Sequence, residues 1–484
     1  MTKGRPIVGR FVGRTQELNS LQAWYTEKVA KFVAIKGRRR IGKSRLIAEF
    51  AKSKLLYRFV GLAPEEGITA QDQRDEFARR LSVYFPDLPT LKADNWAELF
   101  SILARRVHQG SIILLLDEIS WMAEGDSTFL AKLKNAWDDE FKLNQRLMLI
   151  VCGSVSSWID KNLLSASGFI GRIHHVLTLK ELPLALCSEF WAGYKNHVSA
   201  TDKLKYLAIS GGVPLYLECL DPKLPVDENI KQLCYTDGGL LLREFDNIFH
   251  DLFGKRSNMY KKIVSALLKE PADMAKICQH LSIQPSGLIS EYLSDLVEAG
   301  FISRDFTWLV KAGNFSKLSR YRLSDNYLRF YLRYLDKEKI KIEKGLYEGK
   351  SIALLPEWST IMGLQFENLV LSNRKTIWQQ LGITANDVVI DGAYFQRKTI
   401  KQRGCQIDYM IQTRFNNLFV CEIKFSRNEV KTDVIEAMTE KIQRLSKPRG
   451  FSCFPVLIHV NGVSDALVDA AYFTKIIDFS EFLN

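Results

Sequence analysis

Four residues at fixed spacing, Gly37, Gly42, Lys43 and Ser44, lie in the stretch AIKGRRRIGKSRLIAEF, Ala34 to Phe50, and satisfy the pattern GxxxxGK[ST]. An apolar run, Phe32 to Ile35, precedes them and a helical pattern follows. In that setting the glycines let backbone N–H groups wrap a phosphate chain. Lys43 reaches the terminal phosphates, and the Ser44 hydroxyl can ligate Mg2+. Arg38, Arg39, Arg40 and Ile41 fill the variable positions, with Arg45 just beyond. The backbone amides of these positions matter more than their side chains. The three arginines are expected to deepen the positive potential around a triphosphate or to pair with nearby acids.

Two further strand ends carry matching chemistry. SIILLLDEIS, Ser111 to Ser120, ends an apolar run in Asp117 and Glu118, one carboxylate for a Mg2+ shell and the next for an attacking water. LMLIVCGS, Leu147 to Ser154, ends in a hydroxyl that could sense a γ-phosphate, although a lone serine more often caps a helix or turn. A second constellation lies far downstream: Glu367 in GLQFENLV (363–370), Asp408 in GCQIDYMI (404–411), and Glu422 and Lys424 in LFVCEIKFS (418–426). In E-x-K the two side chains share one strand face. Asp408 and Glu422 could hold Mg2+ while Lys424 stabilises a charged phosphate transition state or orients water. An isolated E-x-K is common on solvated strand faces; Asp408 on the preceding strand, across a short turn, makes the layout more specific.

Elements must position these groups. Up to about residue 180, short apolar runs alternate with helical patterns, which argues for an α/β fold with a parallel sheet covered on both faces. From Leu182 to about Leu220 the pattern is helical, as in a small lid. Helical patterns at 257–269, 273–282 and 286–299 precede Gly300 and β-rich segments ending in YRLSD (321–325), which together predict a winged helix. DKEKIKIEKGLYEGK (336–350) reads as a linker or exposed helix, and beyond Leu354 a further α/β lobe begins. The expected domains are therefore 1–180, 181–254, 255–345 and 352–484.

The formal net charge is +12, and residues 255–345 alone hold 17 basic and 10 acidic side chains. Within that region Lys311, Lys317, Arg320 and Arg322 run along the expected wing with Trp308 and Phe315 interleaved, a pattern suited to nucleic-acid phosphates. Acidic Glu291, Asp295 and Glu298 in the third helix favour backbone contact over groove readout. A winged helix can also serve as a rigid arm packed on its neighbour. QRKTIKQR (396–403) is basic without an acid and reads equally as a nucleic-acid contact or a solvated hairpin. The eight cysteines form no CxxC pair, which fits reduced structural thiols. The longest apolar runs are too short to span a bilayer, so a cytoplasmic protein without a membrane partner is expected.

FVGRTQEL (11–18), the GxxxxGKS loop, LLLDEIS, CGS, GRI (171–173) and GGVPLYL (211–217) resemble, in this order, the archaeal and bacterial ATPases of the AAA+/STAND group. The resemblance implies a P-loop NTPase core that binds ATP with Mg2+, and possible homo-oligomers. It puts Gly13 and Arg14 near the adenine end and makes Ser154 the first sensor. Arg172 would act on the γ-phosphate in cis or from a neighbour, and Pro214 would pack on the base. The downstream constellation resembles the PD-(D/E)xK superfamily, implying a restriction-endonuclease-like C-terminal domain in which Ile407 stands where the usual proline would be. The expected function is a Mg2+-dependent ATPase coupled to a nuclease-fold domain acting on or binding DNA. The competing expectation is a nucleotide-controlled switch whose winged helix and C-terminal lobe only bind DNA or protein.

Overall fold

The apolar runs of the first 180 residues, joined by the unforeseen strand His175–Thr178, become one parallel sheet: β1 (Lys31–Lys36), β2 (Leu55–Val60), β3 (Ile112–Asp117), β4 (Leu147–Gly153) and β5 (His175–Thr178), in the order β2-β3-β4-β1-β5. The structure, a computed structural model, describes residues 11–484 except 64, 66, 90, 192, 195, 196, 348–350, 401 and 484. Residues 1–10 of the expected first domain and Lys401 of the basic hairpin thus lie outside the described residues.

Alternate residues of β1, β3 and β4 serve opposite faces, which is why these strands read as unbroken apolar runs. Phe32, Leu114 and Leu149 pack with Trp96, Phe100 and Phe129 of the helices Trp96–Arg106 and Phe129–Asp139. Val33, Ile35, Ile113 and Ile150 pack with Leu21 and Ile47 of the helices Thr15–Thr26 and Lys43–Phe50. Because all strands run the same way, the loops after β1, β3 and β4 emerge together at one sheet edge.

Helices Ala200–Ser210, Val226–Cys234 and Leu240–Phe253 follow, and then three more, Ser257–Ala266, Met274–His280 and Gly287–Glu298. A hairpin, β6 (Ile302–Leu309) and β7 (Asn314–Leu323), closes this region, and Ala272 bridges Tyr321 beside it. The expected linker holds a short helix, Lys339–Glu343.

The C-terminal lobe is a second, mixed sheet: β8 (Val388–Gln396), β9 (Cys405–Thr413), β10 (Asn417–Lys424), β11 (Ser452–His459) and β12 (Lys475–Asp478), in the order β12-β11-β10-β9-β8. β8, β9 and β10 are antiparallel neighbours, and β11 and β12 add in parallel. Helices Trp358–Ser372 and Asp433–Arg444 belong to the same lobe. One buried apolar cluster joins the lobes: Leu207 and Tyr216, Tyr260 and Leu293, Tyr327, and Phe366 and Tyr409 all belong to it.

The hairpin β6-β7 corrects the expected wing. Trp308 is only 2% exposed and packs with Ile390, Tyr394 and Met410 of the C-terminal sheet. Its indole N–H donates to Gln412 Oε1 at 2.9 Å, and Thr307 Oγ1 donates to the Phe395 carbonyl at 2.5 Å. Arg322 is buried, paired with Asp305 and bonded to Asn368. Only Lys311, Lys317 and Phe315 of the expected phosphate-contacting set are exposed. An indole in a strand could not be assigned to solvent or core from the pattern, and burying it against β8 gains about 3 kcal/mol or more over leaving it in water. Among the described residues all eight cysteines are free thiols, and no helix is long and apolar enough to cross a membrane.

Candidate functional site

The loop after β1 is shaped by its glycines. A Cβ on Gly37 would meet the Leu179 carbonyl oxygen at 2.5 Å, and Gly42 takes φ +90° to start the helix Lys43–Phe50, a conformation that costs a side-chain-bearing residue energy. Arg40, at φ 68°, and Glu118, at φ 52°, accept that cost beside the same cavity.

Lys43 is buried and donates to the Gly37 and Arg38 carbonyls and to Ser154 Oγ at 2.9, 3.1 and 3.0 Å. Ser154 Oγ in turn donates to Glu118 Oε1 at 2.7 Å, and the Ser154 N–H donates to Glu118 Oε2 at 3.0 Å. The ends of β1, β3 and β4 are thus joined by one chain, Lys43 to Ser154 to Glu118. Ser44 Oγ donates to Asp117 Oδ2 at 2.9 Å, while Asp117 Oδ1 is buried without a hydrogen-bond partner. A carboxylate oxygen left unpaired beside a hydroxyl suits a hard, oxygen-seeking cation such as Mg2+.

Lys43, Ser44, Glu118 and Ser154 border a cavity of about 430 Å3, a size suited to a small-molecule ligand. Arg14, Arg39, Arg40, Ile41, Gly42, Lys43, Ser44, Arg45, Glu118, Ser154 and Pro214 line it. Its large apolar lining residues, Phe11, Val12, Trp121, Phe190 and Leu215, come from the N-terminal segment, the short helix Ile119–Met122 after β3 and the helices after β5. Arg14 also ties the chain together, donating to the Ile41 carbonyl at 3.3 Å and the Lys180 carbonyl at 2.5 Å. Gly13 packs against Leu182 and Leu186.

The arginines of the loop divide their work. Arg38 is buried between Glu181 and Asp325, each 2.5 Å away, and the Asp325 contact is an ion pair without hydrogen-bond alignment. Burial opposes its charge, but Asp325 and Glu181 outweigh that and raise its pKa. Arg40 pairs with the fully buried Glu244 at 2.9 Å, and Arg45 with Glu218 at 2.9 Å. Of the two alternatives read from the sequence for the three consecutive arginines, pairing with acids describes Arg38 and Arg40.

Arg172 is not brought to this cavity. It precedes β5, so it emerges at the opposite edge of the parallel sheet, where it makes a bidentate contact with Asp138 at 2.9 Å. The expectation that it acts on the γ-phosphate in cis is corrected on that topology. A residue the sequence reading missed, Arg58 of β2, instead contacts Asp117 Oδ2 at 2.6 Å; its only signal was a cation inside the otherwise apolar LLYRFV.

The C-terminal constellation does converge. Antiparallel pairing of β9 with β10 sets Tyr409 opposite Cys421, so Asp408 and Glu422 are next in register. The Ile423 N–H donates to Asp408 Oδ2 at 3.0 Å, and Lys424 pairs with Glu422 Oε1 at 2.9 Å. Lys441 of the helix Asp433–Arg444, unnoticed in the sequence, bridges the acids, 2.5 Å from Glu422 Oε2 and 3.4 Å from Asp408 Oδ1. Burial pulls the Lys441 pKa down, yet Asp408 and Glu422 raise it overall. Burial and the Asp408 charge push Glu367 up to about 7, and burial and Glu422 raise Asp408. Among the described residues no group of three or more His, Cys, Asp or Glu side chains could hold a metal ion. A cation at the Asp408–Glu422 pair would therefore draw its remaining ligands from backbone or water oxygens.

A glycine-shaped loop with a buried lysine, a hydroxyl bonded to a carboxylate that keeps one oxygen unpartnered, and a second acid at the same strand end are the parts of a P-loop ATPase, and the chain is an ATP hydrolase. Residues 11–220 match a family described as an ATPase domain predominantly from Archaea. An uncharacterized protein of Methanocaldococcus jannaschii is 28% identical over 366 residues, 74% of this chain and 76% of the relative. The fold is similar to that of the Walker-type ATPase of Pyrococcus abyssi, with a TM-score of 0.50 at 19% identity over 68% of this chain and 99% of that one. The ORC2 protein of Aeropyrum pernix compares with a TM-score of 0.42 at 13% identity, over 71% of this chain and 98% of that one.

Proposed function

We propose that the chain is a Mg2+-dependent ATPase coupled through its winged helix to a PD-(D/E)xK nuclease-like lobe that acts on DNA. The observation that carries the coupled reading is the meeting of Asp408, Glu422, Lys424 and Lys441, with Glu367 near enough to feel the Asp408 charge. The order of a helix, three antiparallel strands, a helix and a parallel strand around that place supports the domain assignment.

At the ATP site, Lys43 leaves the Gly37 and Arg38 carbonyls for the phosphates. Ser154 then loses one partner and reorients with Glu118, so the presence of a γ-phosphate reaches the acid that polarises water. Mg2+, held by Ser44 and Asp117, would neutralise charge on the phosphates. Water adds to the γ-phosphorus, its bond to the ADP oxygen breaks, and the water proton passes to Glu118 or solvent. Gly13 and Arg14 keep the loop in register, and Pro214 closes the base end. Arg172 is kept for a neighbouring subunit's nucleotide, since it stands at an outer sheet edge. At the C-terminal site, Asp408 and Glu422 would hold Mg2+, Lys424 would stabilise the phosphodiester's charge, and Glu367, raised to about 7, can carry a proton near neutrality.

The competing reading, a nucleotide-controlled switch, is favoured by one observation: both carboxylates of the pair are already neutralised by lysines. Wild type, Lys43→Ala and Glu422→Ala compared for ATP hydrolysis and for cleavage of linear, circular and single-stranded DNA separate the two. The coupled reading expects Lys43→Ala to lose both activities and Glu422→Ala to lose cleavage alone. Intact DNA under every condition would leave the switch.

A further inference from the structure

The hairpin β6-β7, the strand ends of β8 and β9 and the helix Asp433–Arg444 enclose an open groove of about 740 Å3. Arg320, Arg397, Lys398, Lys441 and Arg444 line it against a single acid, Glu440. The cations are held in place by different elements. Arg320 lies over the Phe395 ring, 4.3 Å from its centroid, and donates to Gln406 at 3.2 Å. Arg397 is steadied by Asp273, 3.1 Å away, from the loop before the helix Met274–His280. Lys441 ends the groove, because its ammonium contacts Glu422 and Asp408.

We infer that this groove is a binding track for the phosphodiester backbone of a nucleic acid, and that it delivers the backbone to the Asp408–Glu422 pair. It deepens the C-terminal half of the proposed function and rests on that reading only for what happens at the pair. Clustered cations from three elements exceed the local acids, and an arginine stacked on an aromatic face keeps its donors turned outward. A phosphate arriving at the inner end competes with the two carboxylates for Lys441, which couples occupancy of the groove to release of the acids.

Fluorescence anisotropy with labelled single-stranded DNA, duplex DNA and RNA of about 20 nucleotides tests the track in the full chain. Arg397→Ala with Lys398→Ala should weaken binding by about tenfold or more and lower the slope of log affinity against log salt by about 2. Asp408→Asn should bind at least as well as wild type, and a wild type that binds nucleic acid but cuts none of it sinks only the nuclease reading. Loss of binding in Lys311→Ala with Lys317→Ala but not in the groove variant would overturn the track. Polyglutamate displacing the probe from the groove as well as unlabelled nucleic acid does would overturn it too.

A separate observation concerns Arg38. Its partner Asp325 caps the helix Asn326–Phe330, accepting from the Leu328 N–H at 2.9 Å. The next residue, Asn326, exchanges hydrogen bonds with Gln365 at 2.8 and 3.2 Å and accepts from Asn368 at 2.9 Å. Those two flank Glu367 on the helix Trp358–Ser372, and all five polar residues from Arg38 to Asn368 are buried. We further infer that Arg38 links the phosphate loop to the acid site through this chain of contacts. Hydrogen exchange along residues 358–372 should change when a non-hydrolysable ATP analogue binds wild type. The change should vanish in Asp325→Asn and in the milder Asn326→Ser, both still binding the analogue. An unchanged exchange pattern in wild type, or a change that survives both substitutions, would overturn the link.

Discussion

The two acidic sites of this chain hold their lysines differently. At the ATP site Lys43 is bonded to two carbonyls and a hydroxyl, neutral partners that a phosphate can outbid. At the C-terminal site Lys424 and Lys441 are paired with carboxylates, charged partners that hold roughly twice as strongly. The first site is ready for an anion as it stands. The second yields only to a ligand that supplies a replacement charge on either side, a cation for Asp408 and Glu422 or a phosphate for the lysines.

The largest effect that sharpens this contrast is at the ATP site. Lys43→Ala removes the buried ammonium that we propose turns to the phosphates, and ATP hydrolysis should fall by about 100-fold or more, measured as phosphate release. The melting temperature of the C-terminal lobe should not move. Lys441→Met should act in the opposite sense at its own site, because it leaves Asp408 and Glu422 without their shared cation. Mn2+ affinity there, followed by calorimetry, should rise by about tenfold or more; unchanged affinity would erase the contrast between the sites.

Next in size is the packing that joins the regions. Trp308→Ala should cost about 3–5 kcal/mol in a denaturant titration of the full chain, while the ATPase rate without nucleic acid stays near wild type. A loss well under 1 kcal/mol would mean that the hairpin is not seated on the C-terminal sheet.

Legibility follows the distance over which each contact is made. Gly37, Gly42, Lys43 and Ser44 lie within eight residues, and Asp117, Glu118 and Ser154 each end an apolar strand, so local pattern and fold topology together disclosed them. Asp408, Glu422 and Lys424 were readable for the same reason, being strand positions across one short turn. Lys441 was not, because a lysine in a helix with polar neighbours looks solvated until the helix is laid across β9 and β10. Arg38 meets Asp325 across 287 positions of sequence, and Trp308 meets Gln412 only after two lobes dock. For Arg172 the sequence leaves acting in cis and acting from a neighbour equally open, because the GR dipeptide carries no record of which edge of the sheet it leaves from.

That edge supplies the smallest and most specific prediction. Arg172 holds the Asp138 carboxyl down at about 2, against its ordinary value of 3.8. A depressed folded-state pKa means that the unfolded chain takes up its proton first as pH falls. The stabilisation is therefore complete above about pH 4 and lost between about 4 and 2. Arg172→Ala should lower the melting temperature slightly at pH 7, by an amount that shrinks through that window and disappears at its acid end. The pair is partly solvated, so salt should shrink the effect as well. ATP hydrolysis by an isolated subunit should be unaltered in this variant. A fall in hydrolysis that appears only at concentrations where subunits associate would show the arginine at work on a neighbour's nucleotide, whereas a fall at every concentration would contradict its place at the far edge of the sheet.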